Sequence, residues 1–567
     1  MRNQSIPFLL VILFITGCLG FSRSGTPDPV VLTEDLLTFE DVITEDFLHH
    51  HLSVIAHDSL EGRATGMRGQ KIAADYLADF YDDLGFTPAG DGGTYFQNFE
   101  LAAEQTDSLV YYTWKVEEGD TLLVDHSVLA PGQESDYLQI FGGTRPLRGE
   151  IVFAGFGVRD SVNGINHQEG TDLRDRWVLL FDDIPHIVDG DTLMNPQINR
   201  NQRFSEIISS NNASGILVIG EETPEEFEEL QELNSRLVNQ PRNMRLEYLN
   251  GMTVRRGYPR GYMQIHPELA VELLGLGSLN ELRQLRQDLI ADLEGFSARP
   301  LPYILDYRPY ESRTTVETEN VLALFEGGDP ELKDEVVVLT AHYDHIGISM
   351  PDEHGDTINN GADDDGSGTV GLMAIANALH QASEEGLRPR RSILFLHVSA
   401  EELGLLGSRY YSDHPVIPIE QTVANFNADM ISRSTTERAE SGDTDYIFII
   451  GGDIISSRLD SLVHVANDMS VQMELDYTFN DLNDPNQFYR RSDHWNLGRL
   501  EVPFVFFFTG VHEDYHNQGD TIDKVDFPKL TRTSRLIYAS TLQVANHEER
   551  PEVDNQQFID ITRSRPR

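Results

Sequence analysis

Residues 334–345 read DEVVVLTAHYDH, an apolar, β-branched run that ends in a histidine, a tyrosine, an aspartate and a second histidine. A run of this length and composition reads as a strand buried on both faces. Outward from it the pattern alternates. NVLALFEG (320–327) precedes it as a strand, and GSGTVGLMAIANALHQA (366–382) follows as a helix. RSILFLHVSA (391–400) is a strand that leads into a helix through EELGLLGSRYYSDH (401–414). TVANFNAD (422–429), DYIFIIGG (445–452) and VPFVFFFTG (502–510) are further strands, and KLTRTSRLIYASTLQVANHE (529–548) is a closing helix. Continuous apolar strands between helices predict an α/β fold, a central mixed sheet flanked by helices. Ligands in such sheets sit at the carboxyl ends of the strands. His342, Glu401, Glu402 and Asp429 all fall at such ends.

Five segments along this half are polar and glycine-rich: TAHYDHIG, NNGADDDGSGTVG, SAEELGLLGSRY, FNADMIS and DYHNQGDT. They contribute His342, Asp364, Glu402, Asp429 and His516, a mixed imidazole and carboxylate set suited to divalent zinc. A scheme with two Zn2+ per chain has Asp364 bridging, His342 and Asp429 completing one ion, and Glu402 and His516 completing the other. Glu401, beside a ligand but not consumed by the metals, is placed to act as general base on a water shared by both ions. Asp344, two residues after His342, is suited to fixing the tautomer of that imidazole. Asp365 reads as a support for its neighbouring ligand, and Asp520 as a residue that orients His516 or its loop. His345 and His354 read as pocket or loop residues, His397 as a core histidine, and the run His49-His50-His51 as an exposed helix face. Asp493 and His494, in RRSDHWNLG, are substrate-pocket candidates.

These motifs resemble the zinc aminopeptidases of the M28 type. The resemblance is carried by HYDH, by Asp364 ahead of D-G-S-G, by EELGLLGS with base then ligand, by NAD with Asp429, and by YHNQGDT with His516. It covers roughly 315–548 and extends to LEGRATGMRGQKIAADYL near the N-terminus. It implies a zinc-exopeptidase-like fold, a cis Asp364–Asp365 peptide bond, peptide substrates and hydrolysis of N-terminal peptide bonds. Carboxypeptidase-like or dipeptidase specificity is the alternative on the same scaffold, with Arg490 or Arg491 as candidate contacts for a substrate carboxylate. A glutaminyl-cyclase-like enzyme and a non-catalytic receptor ectodomain are more distant readings, since the chain keeps all five ligand positions.

The rest of the 567 residues divides around this core. Residues 1–17 read as a lipoprotein signal peptide: Arg2, the apolar PFLLVILFI (7–15), then Ile15-Thr16-Gly17-Cys18, which is similar to a bacterial lipobox. Cys18 is the sole cysteine, so thiolate ligation and internal disulfides are excluded. Leu19 after it points to the outer membrane, so the protein is expected to be exported and to meet the membrane only through a lipid anchor at Cys18. Residues 18–43 read as a tether, 44–100 as the N-terminal part of the peptidase domain and 301–548 as its catalytic part, with a tail over 549–567. A helix starts near Thr44, and KIAADYLADFYDDLGF (71–86) has an apolar face of Ile72, Tyr76, Leu77, Phe80 and Leu84 closed by Gly85. Residues 101–300, with short strands such as GEIVFAGFGV and ASGILVIG and an acidic helix at EETPEEFEELQEL, read as an inserted β-rich domain that resembles a protease-associated domain. The net charge of −50, with five lysines, excludes nucleic acid as a partner and suits a setting where salt screens self-repulsion.

Overall fold

The computed structural model describes residues 29–118, 120–143, 145–188, 191–249 and 260–564. The expected signal peptide and Cys18 lie outside the described residues. A 16-stranded mixed sheet runs through the molecule. At its centre Val336–His342 lies parallel to both Ser392–Val398 and Thr422–Ala428, and Thr422–Ala428 lies parallel to Phe504–Phe508. Tyr446–Gly451 and Arg299–Phe325 flank this core antiparallel.

The apolar runs are continuous because both faces are covered. Val337, Leu339 and Ala341 pack with Leu372 of helix Gly368–Glu384 and Leu536 of helix Phe527–Asn546. Val336 and Val338 pack on the other side with Tyr411 of helix Leu406–Asp413 and Leu497 of helix His494–Gly498. The parallel strands thus end together, and the loops that leave them converge.

The N-terminal helix Glu45–Ile55 is capped by Thr44, whose hydroxyl accepts from the amide of Phe47 at 3.3 Å. The next helix, Arg68–Asp83, packs most of the expected face inward, with Leu77 buried and Tyr76, Phe80 and Leu84 against the core, but it is rotated so that alanines share the contact. Ala73, Ala74, Leu77 and Tyr81 are buried, while Ile72 is 37% exposed. Alanines allow a close approach to the sheet that Ile72 would prevent. Gly85 closes the helix with φ +69°, and Phe86 N donates back to Tyr81 O, as in a glycine-terminated helix.

Two ends differ from the sequence expectation. Residues within the expected tether form helix Pro29–Leu37 and the turn Thr38–Val42, and Leu36 is fully buried with its carbonyl accepting from Tyr538 Oη. The expected tail forms helix Gln556–Ser564, whose Phe558 packs against Phe504. The tail helix is polar and docks through Phe558, whereas Pro29–Leu37 (PVVLTEDLL) is largely apolar and docks through Leu36 and Leu37.

The 101–300 block is joined to the core by hydrogen bonding. Phe96–Glu117 and Arg299–Phe325 pair antiparallel from Val321↔Phe96 to Tyr303↔Lys115, and the block's strands continue the same sheet. Leu147–Phe153, Trp177–Phe181, Gly215–Ile219 and Gly261–Ile265 are parallel neighbours. Helices Pro224–Val238, Pro267–Leu274 and Leu279–Ala291 accompany them, so "β-rich" describes only part of the block. The acidic helix has a reciprocal cap between Thr223 and Glu226.

Candidate metal centre

His342 is the last residue of its strand, and its ring is fully buried at the mouth of the sheet. Its Nδ1 is 3.0 Å from the main-chain carbonyl of Asp344, which places the proton on Nδ1 and leaves Nε2 facing the carboxylates. The Asp344 carboxylate, expected to do this, is 3.8 Å away and is engaged elsewhere. It accepts from Thr65 Oγ1 at 2.8 Å and from Glu401 N at 3.2 Å. Asp344 therefore fixes the tautomer through its backbone and the Glu401 loop through its side chain.

Around His342 Nε2 lie Asp364 Oδ1 at 3.1 Å, Asp429 Oδ1 at 3.8 Å and Glu401 Oε2 at 4.0 Å. His516 Nε2 lies 3.2 Å from Asp364 Oδ2 and 3.1 Å from Glu402 Oε2. Asp364 thus faces both histidines, one through each oxygen. The five residues singled out in the sequence meet at one place, and Glu401 stands beside them.

The loop that carries Asp364 is held from three sides, and its Asp364–Asp365 bond is cis. Asp520 accepts from the amides of Asp363 and Asp364 at 3.0–3.1 Å, so it supports this loop rather than His516. Asp365 accepts from the amides of His342, Gly368 and Met430, which ties the ends of two strands to one turn. Asp363 accepts from Ser432 N and Oγ. Asp429 accepts from Ser492 Oγ at 2.5 Å.

Four carboxylates in so small a buried volume repel one another unless a cation joins them. The electrostatics reflect this. Burial, then Glu402, Asp493 and Asp429, hold the Glu401 carboxyl well above its usual range against the pull of His342. Burial works against a charged His516, yet Asp364 and Glu402 raise it to about 10. Asp364 Oδ2, Glu402 Oε1 and both ring nitrogens of His345 are buried without a hydrogen-bond partner. Orphaned donor atoms of these types at one point fit a divalent cation, and His342, Asp364 and Asp429 form one possible ligand group while His345, Asp364 and Glu402 form another.

The two substrate-pocket candidates part company. Asp493 is buried near the cluster, its carboxyl raised to about 7 by burial and by Asp429 and Asp344. His494 is sealed against Phe504 and Phe506, with ring centroids at 4.6 and 4.7 Å, and is a packing residue. The cavity beside the cluster is lined by His342, Asp364, Glu401 and Asp429. Met430, Phe488, Phe506, Phe508, Val511 and Tyr515 also line it, together with Arg491 and Ser492.

Sequence reasoning missed Arg63. Its guanidinium is fully buried and donates to four main-chain carbonyls: Tyr343 at 2.8 Å, Ile55 at 2.7 Å, Asn360 at 2.6 Å and Gly361 at 2.9 Å. It binds the N-terminal segment to both loops that present His342 and Asp364. The only signal was an arginine among glycines in LEGRATG.

Residues 320–541 match the model of Peptidase family M28. Aminopeptidase YwaD of Bacillus subtilis (strain 168) is 25% identical over 237 residues, which is 40% of this chain and 44% of that protein. Leucine aminopeptidase 2 of Arthroderma otae is 26% identical over 262 residues, 42% of this chain and 46% of that protein. The chain therefore spans less than half the length of these curated relatives. Among solved structures, BSAP, described as a zinc aminopeptidase from Bacillus subtilis, aligns with a TM-score of 0.47 at 15% identity, over 88% of this chain and 94% of that one. The matched segment contains every member of the carboxylate–imidazole cluster, and residues 320–541 are a domain of peptidase family M28.

Proposed function

We propose that the chain is a di-zinc aminopeptidase that removes N-terminal residues from oligopeptides. The observation that carries this reading is the convergence of His342, Asp364, Glu402, Asp429 and His516 with one carboxylate, Glu401, left over beside them. Asp364 would serve both ions, with His342 and Asp429 holding one and Glu402 and His516 the other. Zinc held there supplies Lewis acidity toward a carbonyl oxygen and lowers the pKa of water.

Glu401 takes the proton of the water that attacks the scissile carbonyl carbon and delivers it to the departing amine nitrogen as the C–N bond breaks. The acidic lining residues, Asp429 among them, favour a cationic α-amino group, and the apolar ones, Met430, Phe488, Phe506 and Phe508, suit an apolar N-terminal side chain. Curated relatives named as leucine aminopeptidases are in keeping with that preference.

The test is hydrolysis of aminoacyl-p-nitroanilides with chelator and zinc add-back. Loss on chelation and recovery with zinc are expected, and full activity after exhaustive metal removal would refute the reading. One observation favours a second specificity: Arg491 borders the cavity and lies over the ring of Phe488 at 4.9 Å, where it can meet a substrate carboxylate. Comparing N-blocked with C-blocked dipeptides separates carboxypeptidase-like or dipeptidase action from aminopeptidase action. We further read 101–300 as an accessory domain, supported by hydrophobic clusters drawn only from residues 109–307. The lipobox-like Ile15-Thr16-Gly17-Cys18 supports export and anchoring at Cys18, which palmitate labelling of wild type against Cys18→Ser tests.

A further inference from the structure

His345 stands three residues after His342, and the proposed ligand set makes no use of it. Its ring is fully buried, with Nδ1 2.8 Å from Glu402 Oε1 and 4.0 Å from Asp364 Oδ2. A core histidine that simply hydrogen-bonded Glu402 would point an N–H along that contact. Here neither Nδ1 nor Glu402 Oε1 has hydrogen-bonding geometry to any partner, and Nε2 and Asp364 Oδ2 have none either. Three orphaned atoms on three residues therefore face one point, at the spacing of donors around a shared cation.

The backbone prepares this place for the ring. His345 N donates to Arg63 O at 3.2 Å, which holds the residue to the N-terminal loop. Gly361, at φ +56°, passes so close that a Cβ there would sit 2.6 Å from His345 Cγ and Cδ2 and 2.3 Å from Asp364 O. The chain omits a side chain where the imidazole needs room.

We propose that His345 is a metal ligand, so that the ion on the Glu402 side is held by four protein residues: His345, Asp364, Glu402 and His516. The inference rests on the metal-dependent reading above. The ion on the other side has three, His342, Asp364 and Asp429, and Glu401 lies on that side, 4.0 Å from His342 Nε2. Zinc sites closed by four protein ligands are structural, and those with three keep a position for solvent or substrate. The centre is then unequal: a tight, closed site on the Glu402 side and a looser, reactive one beside Glu401.

The experiment is titration of metal-free full-length protein with zinc, with X-ray absorption at one equivalent and cobalt spectra in parallel. Two affinities are expected, with two imidazoles on the first ion bound and the intense visible bands of four-coordinate cobalt. His345→Ala should weaken the tighter site by roughly 100-fold or more and leave one imidazole on it. His345→Asn keeps a hydrogen-bond donor for Glu402 but is a poor zinc ligand, so it should behave like His345→Ala. If His345→Asn keeps wild-type affinity and spectrum, or if the first wild-type ion carries a single imidazole, the proposal is overturned. Failure of the underlying reading looks different: the wild type would bind no zinc, or hydrolyse peptides without it. Thermal unfolding of the metal-free variants identifies any loss that is only misfolding. In that event the absorption data on the wild-type protein decide.

Discussion

Glu401 and Glu402 leave the same strand and differ in what their carboxylates meet. Glu402 lies against two imidazoles, 2.8 Å from His345 and 3.1 Å from His516, whereas Glu401 has His342 Nε2 at 4.0 Å. This difference predicts separable effects. Glu401→Gln should lower kcat by about 10²–10⁴-fold while KM and zinc content stay near wild type. Loss of zinc together with activity would instead make Glu401 a ligand. His397 gives a second prediction at this scale. It is fully buried on the central sheet with Nε2 2.8 Å from Tyr81 Oη, and burial lowers it to about 3. The unfolded chain takes up a proton near pH 6.5 that the folded chain refuses until about pH 3. Stability contributed by the neutral ring is therefore complete above pH 6.5 and falls on acidification through that window, by up to about 1.4 kcal/mol per pH unit. Urea unfolding of metal-free His397→Gln between pH 7 and pH 5 should show a shallower decline than wild type. Equal slopes would remove His397 as a source of acid sensitivity.

At the scale of elements, the strands were legible because their apolar runs are continuous, and the candidate ligands because polar residues at strand ends have no folding reason to be there. Arg63 was not legible: its function is four long-range contacts to carbonyls, and no local pattern announces a donor whose acceptors lie up to 298 residues away. The docked helix Pro29–Leu37 was missed for a similar reason, since it is held by Leu36 and Leu37 packing into the core and not by its own periodicity. The arrangement around Arg63 makes a prediction about loops. Lysine preserves the charge but has no planar fork to reach carbonyls on three segments. Arg63→Lys should destabilise the fold by about 2–4 kcal/mol and loosen the His342 and Asp364 loops together. Denaturant unfolding measures the first effect, and faster hydrogen exchange at 342–345 and 360–365 measures the second. If stability falls without faster exchange in both loops, Arg63 is only a packing residue.

At the scale of the molecule, one sheet links the peptidase core to the 101–300 block, and the contact extends to the centre itself. Leu246 of the block packs in one cluster with Ala400, the residue before Glu401. The same scale sets the electrostatics. With 93 acidic and 43 basic residues, 50 acidic groups have no basic counterpart in the chain. Exposed ion pairs such as Arg563–Glu501 add little individually, so repulsion among the surplus carboxylates outweighs them. That repulsion acts over a Debye length of about 10 Å at 0.1 M salt and about 3 Å at 1 M. Raising NaCl from about 0.05 M to 1 M should therefore raise the unfolding midpoint of the zinc-free protein, most steeply at the low end of the range, where screening changes fastest. KCl should act equally, because the effect is ionic strength. An osmolyte such as sucrose would give a gradual rise without the early steep phase. A midpoint flat in salt, or one that follows sucrose and salt alike, would mean that the charge surplus does not limit this fold.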